Sequence, residues 1–160
     1  MTLKIFLDFL ISIATTVFFA ILLKAPRKTV MVSAVLGGMG YVVFELSFTC
    51  LTSPLAAYFI GALFVSGLSE MLARFMKTPA TIFIIPAIFP QVPGIGLYNT
   101  MMFLVDGKNS KAGELGFSTI IELTVMATAL VTAIVLTRCL TALCQIWTVQ
   151  RQGKLQNDTK

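Results

Sequence analysis

Long apolar runs, separated by short polar connections, repeat along the whole chain. Each run holds about 20 residues or more, which as a helix is enough to cross the roughly 30 Å hydrocarbon core of a bilayer. The pattern predicts an all-α polytopic transmembrane bundle of about five helices over residues 1–149, followed by a polar tail at 150–160. The predicted spans are residues 3–23, 30–50, 55–75, 79–105 and 117–136, the last with a continuation towards residue 149.

The fourth apolar run differs from the others because prolines and glycines interrupt it. Residues 86–101 read PAIFPQVPGIGLYNTM. As half-helices, residues 80–89 and 96–105 would each extend about 15 Å, so together they could cross the bilayer with a break near its midplane. Irregular backbone at that depth persists only where it is buried in protein or lines a wet cavity, and transporters bind ions and substrates at such breaks. The sequence therefore predicts a binding site at this break.

The predicted binding groups lie at and just after the break. A second half-helix that begins near residues 94–96 would offer free backbone N–H groups and a positive helix end, which can hold a carboxylate. The alternative is a proline kink that only shapes packing. The candidate substrate-binding residues are Gln91, Pro93, Gly94, Gly96, Tyr98, Asn99 and Thr100.

Four acidic residues fall within the predicted spans, where a carboxylate is costly and often marks a proton or substrate path. Glu70 precedes Arg74 by one turn, which predicts a local ion pair, and Asp8 has Lys4 at the same spacing. Glu45 and Glu122 have no basic neighbour in their own helices, so they are the candidate proton-coupling residues. Solvation at the membrane interface is the alternative interpretation for both. The four are Asp8, Glu45, Glu70 and Glu122.

Composition excludes a water-soluble protein. Hydrophobic residues make up 57% of the chain and charged residues 12%, whereas about 25% of the residues in an average soluble domain are charged. The net charge of +5 comes from short basic groups beside the apolar runs. Because these groups form no basic stripe with interleaved aromatic residues, a nucleic-acid partner is not expected.

The available side-chain chemistry argues against catalysis and against a bound metal or cofactor. The chain contains no histidine, which removes imidazole-based proton relays and imidazole metal ligands. Its cysteines show no CxxC spacing. The GGMG stretch at residues 37–40 lacks the lysine of a phosphate-binding loop, so ATP hydrolysis by this chain is excluded. We therefore expect neither an enzyme nor a cofactor, and no metal site.

Small residues recur at four-residue spacing in the second and third runs, as in Ser33 with Gly37 and Ala57 with Gly61. This spacing lets helix backbones approach closely in a membrane. It predicts tight packing, either within the chain or against a partner.

Basic residues cluster in the first and third connections and in the tail, and cytoplasmic loops carry the excess of lysine and arginine. Five spans with the N-terminus outside and the C-terminus in the cytoplasm agree best with this rule. If residues 79–105 instead entered and left on one side, the agreement would be weaker. The basic residues placed inside by the first arrangement are Lys24, Arg27, Lys28, Arg74, Lys77, Arg151, Lys154 and Lys160, and those outside are Lys4, Lys108 and Lys111.

The interrupted run, with the short polar connection and apolar helix that follow it, resembles the threonine/serine exporter family in its small, second-half type. Ile85, Pro86, Pro93, Gly94 and Tyr98 carry the resemblance, which extends over residues 7–140. It implies a subunit of a proton-gradient-driven secondary exporter in the bacterial cytoplasmic (inner) membrane. The implied cargo is a small carboxylate metabolite, either threonine and serine or succinate, and the implied partner is a larger membrane subunit. A non-transporting membrane scaffold or assembly subunit is the alternative.

Overall fold

The computed structural model describes the backbone of residues 2–51 and 53–157, and the side chains of residues 4–51 and 53–141. Within those residues every regular element is helical. The elements are α1 (Thr2–Leu22), α2 (Arg27–Leu51), α3 (Pro54–Met76), α4 (Thr81–Ile88), a 3-10 turn (Phe89–Gln91), α5 (Gly94–Val105) and α6 (Asn109–Asn157).

Four of these helices, α1, α2, α3 and α6, are long and apolar enough to cross a membrane. The pair α4 and α5 passes the same test only when taken together, and its two axes are bent by 58° at the break. The predicted all-α polytopic bundle with a broken fourth segment is confirmed. Whether the bent pair spans the membrane or re-enters it, and which side each end occupies, stay predictions.

The last helix is longer than the sequence pattern predicts. It begins at Asn109 instead of residue 117, directly after a turn in which Gly107 takes a positive φ of 71°. The polar residues of its first turns are exposed, and Ala112 between them is buried, with 2% of its surface exposed. The helix also continues through most of the predicted polar tail to Asn157. The division into a membrane domain and a tail stays a prediction.

Close helix approaches occur where the sequence places small residues. A Cβ atom added at Gly38 would lie 2.7 Å from the ring of Phe9 in α1, and one at Gly37 would overlap Thr16. A Cβ atom at Gly61 of α3 would lie 3.0 Å from Cβ of Phe44 in α2. The predicted tight packing is therefore internal at these positions, because a larger residue would force the helices apart.

The core of the bundle surrounds α4. Phe83 and Ala87 of this helix are fully buried, together with Val65 of α3 and Ala129 of α6. Helix α4 packs on α1, α2 and α3. The first half of the interrupted run, α4, thus lies inside the bundle. Its packing sets the position of the break that follows it.

Candidate functional site

The break between α4 and α5 has a local cause in its prolines. Pro90 and Pro93 have no backbone N–H and cannot continue the hydrogen-bond ladder of a helix. Val92, which precedes a proline, is extended, with φ −61° and ψ 132°, as the steric effect of the following ring requires. The chain therefore passes from α4 through one 3-10 turn and one extended residue into α5, which starts at Gly94.

The N-terminus of α5 presents free backbone donors. The N–H of Leu97 donates to the carbonyl oxygen of Pro93 at 3.2 Å, whereas the N–H groups of Ile95 and Gly96 have no backbone acceptor within the described part of the chain. Unpaired N–H groups and the helix dipole together give a helix N-terminus its attraction for anions. The predicted start of the second half-helix is present at Gly94, and anion binding at this end stays a prediction.

Gln91 lies at the end of the 3-10 turn and is buried, with 2% of its surface exposed. It is enclosed by two glycines: a Cβ atom at Gly40 of α2 would lie 2.8 Å from its Nε2, and one at Gly61 of α3 would lie 2.7 Å from its Oε1. Neither atom of its amide has a hydrogen-bond partner among the described residues. A buried amide without partners is costly, so this position requires an explanation other than stability.

A cavity of about 630 Å³ opens at the break. Five of the residues predicted from the sequence line it, which places the interrupted run and one acidic residue around a single space. Those five are Gln91, Pro93, Gly94, Gly96 and Glu122.

Among the side chains that the structure describes, Glu122 of α6 is the one charged group that lines this cavity. It is half-buried, and no ion pair or hydrogen bond involves its carboxylate among the described residues. The cavity wall therefore carries a carboxylate on α6 and the positive end of α5, with no lysine or arginine between them. This combination suits a ligand that carries both a negative and a positive group.

Aromatic and hydroxyl side chains that the sequence analysis missed complete the cavity wall. Tyr58 of α3 stacks obliquely against Phe44 of α2 with ring centroids 4.8 Å apart, and the Tyr41 ring lies 5.8 Å from that of Phe44. Tyrosines within apolar spans have a polar end that needs a partner, and this was the available signal. The missed polar lining residues are Tyr41, Tyr58, Ser118 and Thr119.

Three predicted binding residues of α5 lie outside the cavity lining. Tyr98 is 66% exposed, and neither Tyr98 nor Asn99 lines the cavity. The Thr100 hydroxyl donates to the carbonyl of Gly96 in its own helix at 2.7 Å, and its methyl group faces Gly116 of α6. None of these three side chains lines this cavity, and their role in binding stays a prediction.

The remaining acidic candidates have different partners from those that local sequence suggested. Glu45 forms an ion pair with Lys4 of α1, in which the Lys4 Nζ lies 2.9 Å from the Glu45 carboxylate. Glu45 does not line the cavity. The expected pairing of Glu70 with Arg74 is wrong, because the Arg74 guanidinium instead donates to α6, to the carbonyl of Thr137 at 2.9 Å and to the Thr141 hydroxyl. Helix-to-helix contacts replaced the pairs expected within one helix.

The sequence model of a family described as "Threonine/Serine exporter, ThrE" matches residues 8–138. The match includes every residue that lines the cavity. No curated protein and no solved structure matches the chain.

Proposed function

The chain belongs to the threonine/serine exporter family, and from this premise we propose that it is a membrane subunit of a proton-gradient-driven secondary exporter of small carboxylate metabolites. It acts with a larger membrane partner in the bacterial cytoplasmic membrane, with its N-terminus outside and its C-terminus in the cytoplasm. The observation that supports this most directly is the cavity at the helix break, where Gln91, the N-terminus of α5 and Glu122 meet.

The carboxylate of the substrate binds at the N-terminus of α5. The free N–H groups of Ile95 and Gly96 supply hydrogen bonds, and the helix dipole supplies a favourable potential. The unpartnered amide of Gln91 offers a further donor from the fixed side of the break. An incoming carboxylate would satisfy groups that are otherwise unpaired, which explains why the chain retains a costly buried amide.

The charge of the cavity favours an amino acid over a dicarboxylate. A threonine or serine zwitterion places its ammonium group towards Glu122 and the rings of Tyr41 and Tyr58, which attract cations through their π faces. Succinate would bring a second carboxylate towards Glu122, where like charges repel. Because no lysine or arginine among the described residues lines the cavity, threonine and serine are the proposed cargo.

Proton coupling arises because a proton and the ammonium group of the substrate compete for the Glu122 carboxylate. The ammonium group of the substrate is attracted only to the ionised carboxylate, so a proton that enters from outside and neutralises Glu122 weakens substrate binding. The proton and the substrate therefore exclude one another, and such competition couples inward proton movement to outward substrate movement. Glu45 is the less suitable candidate because it is already paired with Lys4.

The partner completes the cavity. Gly94 and Ile95 are exposed beside the opening, and α5 packs only on α6 among the described elements. A substrate in this cavity is therefore surrounded by α2, α3, α5 and α6 but not covered beside Gly94 and Ile95. A second membrane subunit placed against α5 would exclude lipid and water from that side.

The test is proton-gradient-driven movement of labelled threonine, serine and succinate in membrane vesicles. Vesicles contain this chain, its large partner, or both, and Glu122→Gln is compared with the matched carboxylate change Glu45→Gln. We expect transport of threonine and serine only with both subunits, at least a tenfold loss with Glu122→Gln, and a small effect of Glu45→Gln. Unchanged transport by the partner alone would contradict the proposal and support a scaffold, and faster transport of succinate would overturn the choice of cargo.

A further inference from the structure

A second cavity lies at the opposite end of the α4 core, where α3 ends and α4 begins. Its volume is about 590 Å³. It is lined by residues from the last turn of α3, from the α3–α4 connection, from α4 and from α6. The charged residues in this lining are Glu70, Arg74, Lys77 and Arg138.

The charge of this second cavity is opposite to that of the first. Three basic side chains face one carboxylate, and the described part of the chain contains no ion pair for any of the four. Arg74 already binds α6 through the Thr137 carbonyl, but a guanidinium has five N–H donors, so others remain. The side chains of Lys77 and Arg138 are exposed, and neither makes a hydrogen bond to a described residue.

Backbone geometry adds donors to the same space. Lys77 caps α3 in the left-handed region, with φ 52° and ψ 41°, and this conformation turns the chain directly into α4. The N–H of Thr81, in the first turn of α4, has no backbone acceptor among the described residues. The positive end of α4 therefore reaches the cavity that contains the three basic side chains.

We propose that this basic cavity, formed by Arg74, Lys77, Arg138 and the start of α4, binds a phosphate group, supplied by an anionic phospholipid headgroup or by free phosphate. Arginine provides planar donors that match phosphate oxygens, and lysine a compact charge. Basic pockets between membrane helices near the interface bind anionic headgroups. The site is separate from the cavity at the helix break, so it does not depend on the cargo proposed above.

The position of the site gives it a structural consequence. A phosphate bound to Arg74, Lys77 and Arg138 would connect the end of α3 to α6 across the start of α4. Among the described residues, Arg74 already joins the end of α3 to α6 through its bonds to α6. Occupancy would therefore link the ends of α3 and α6 to the start of α4.

The experiment uses the full chain, purified in a mild non-ionic detergent, and native mass spectrometry to count bound phosphatidylglycerol against phosphatidylcholine with the same acyl chains. The variant K77Q/R138Q removes two exposed charges from the site and leaves the structural Arg74 in place. The matched control R27Q/K28Q removes two exposed charges from the α1–α2 end of the chain, outside this cavity. Thermal unfolding of each variant establishes that it is folded.

We expect phosphatidylglycerol to bind in preference to phosphatidylcholine, and K77Q/R138Q to weaken that binding roughly tenfold or more, since each basic residue near an anionic lipid surface is worth about 1 kcal/mol. The control should change it less than twofold. Equal binding of both lipids, or an equal loss in both double variants, would overturn the proposal. Displacement of lipid by millimolar inorganic phosphate would identify free phosphate as the ligand, and resistance to it would identify the headgroup.

Discussion

Helices α4 and α5 come from one interrupted apolar run, yet they occupy opposite environments. In α4, Phe83 and Ala87 are fully buried, and the helix packs on three others. In α5 no residue is buried, Ile95 is 79% exposed and Val105 is 88% exposed. The break thus joins a half that is fixed in the core to a half that rests on α6 alone.

This difference teaches how the site is built. Gln91 lines the cavity at the helix break from the fixed half, while Gly94 and Gly96 line it from the exposed half. A rotation of α5 about the extended residue Val92 would move the N-terminus of α5 relative to Gln91, without disturbing the core around α4. We expect the exposed half to be the part that responds to substrate and partner, since packed cores do not deform continuously.

The largest effect should come from adding volume to the fixed half. Ala87→Phe places a ring where 0% of the residue is exposed, and overpacking of a close-packed core costs about 1–3 kcal/mol or more. Thermal unfolding in detergent should show a large loss of stability. The matched variant Ile95→Phe adds volume to an exposed position of α5 and should unfold near the wild-type temperature. Equal losses in the two variants would show that α5 is as tightly packed as α4.

The next largest difference in stability should be between substitutions of Gly61, which packs against Gln91, and of Gly94, which begins α5. Gly61→Ala would bring a methyl group to 2.7 Å from the Gln91 amide, so the amide must move, and we expect a loss of about 1–3 kcal/mol in the free energy of unfolding. Gly94→Ala has no atom within 4 Å of the added methyl and should change stability by less than about 1 kcal/mol. Chemical unfolding in detergent measures both. A larger loss in Gly94→Ala would reverse the assignment of the fixed and free halves.

A substitution of Gln91 should affect stability and substrate binding differently. Gln91→Leu removes a buried amide that has no partner, and replacing an unsatisfied polar group by an apolar one of similar size is nearly neutral or stabilising, by up to about 3 kcal/mol. Threonine binding should nevertheless weaken, because a donor to the carboxylate is lost. Unfolding measurements combined with isothermal titration of the complex with its partner test both effects. A variant that binds threonine normally would remove Gln91 from the site.

Several of these features follow from the sequence because their causes are local. The lengths of the spans follow from the thickness of the bilayer, and the position of the break follows from Pro90 and Pro93. The predicted half-helices at 80–89 and 96–105 therefore agree closely with the observed Thr81–Ile88 and Gly94–Val105. The first half is the more apolar of the two, but apolar residues face lipid as readily as they face a core, so composition could not indicate which half is buried. That difference arises from which helices pack on each half.

Helix rotation also explains which site residues escaped prediction. The sequence shows that Tyr58 lies in an apolar span, but only packing turns its ring towards Glu122 of another helix. The ion pair between Lys4 and Glu45 joins residues 41 positions apart, so spacing within one helix could not reveal it. Pairs between helices depend on register and rotation, which packing sets.

The smallest effect should come from the outer face of α5. Tyr98→Phe removes a hydroxyl from a side chain that is 66% exposed and outside the cavity lining, whereas Tyr58→Phe removes one that faces the cavity beside Glu122. In the vesicle assay we expect less than a twofold change for Tyr98→Phe and a clear loss of threonine affinity for Tyr58→Phe. A larger effect of Tyr98→Phe would mean that α5 rotates during transport and brings its outer face to the substrate. In that case the exposed half of the segment would itself be the moving element, and its lack of buried residues would be a requirement of transport.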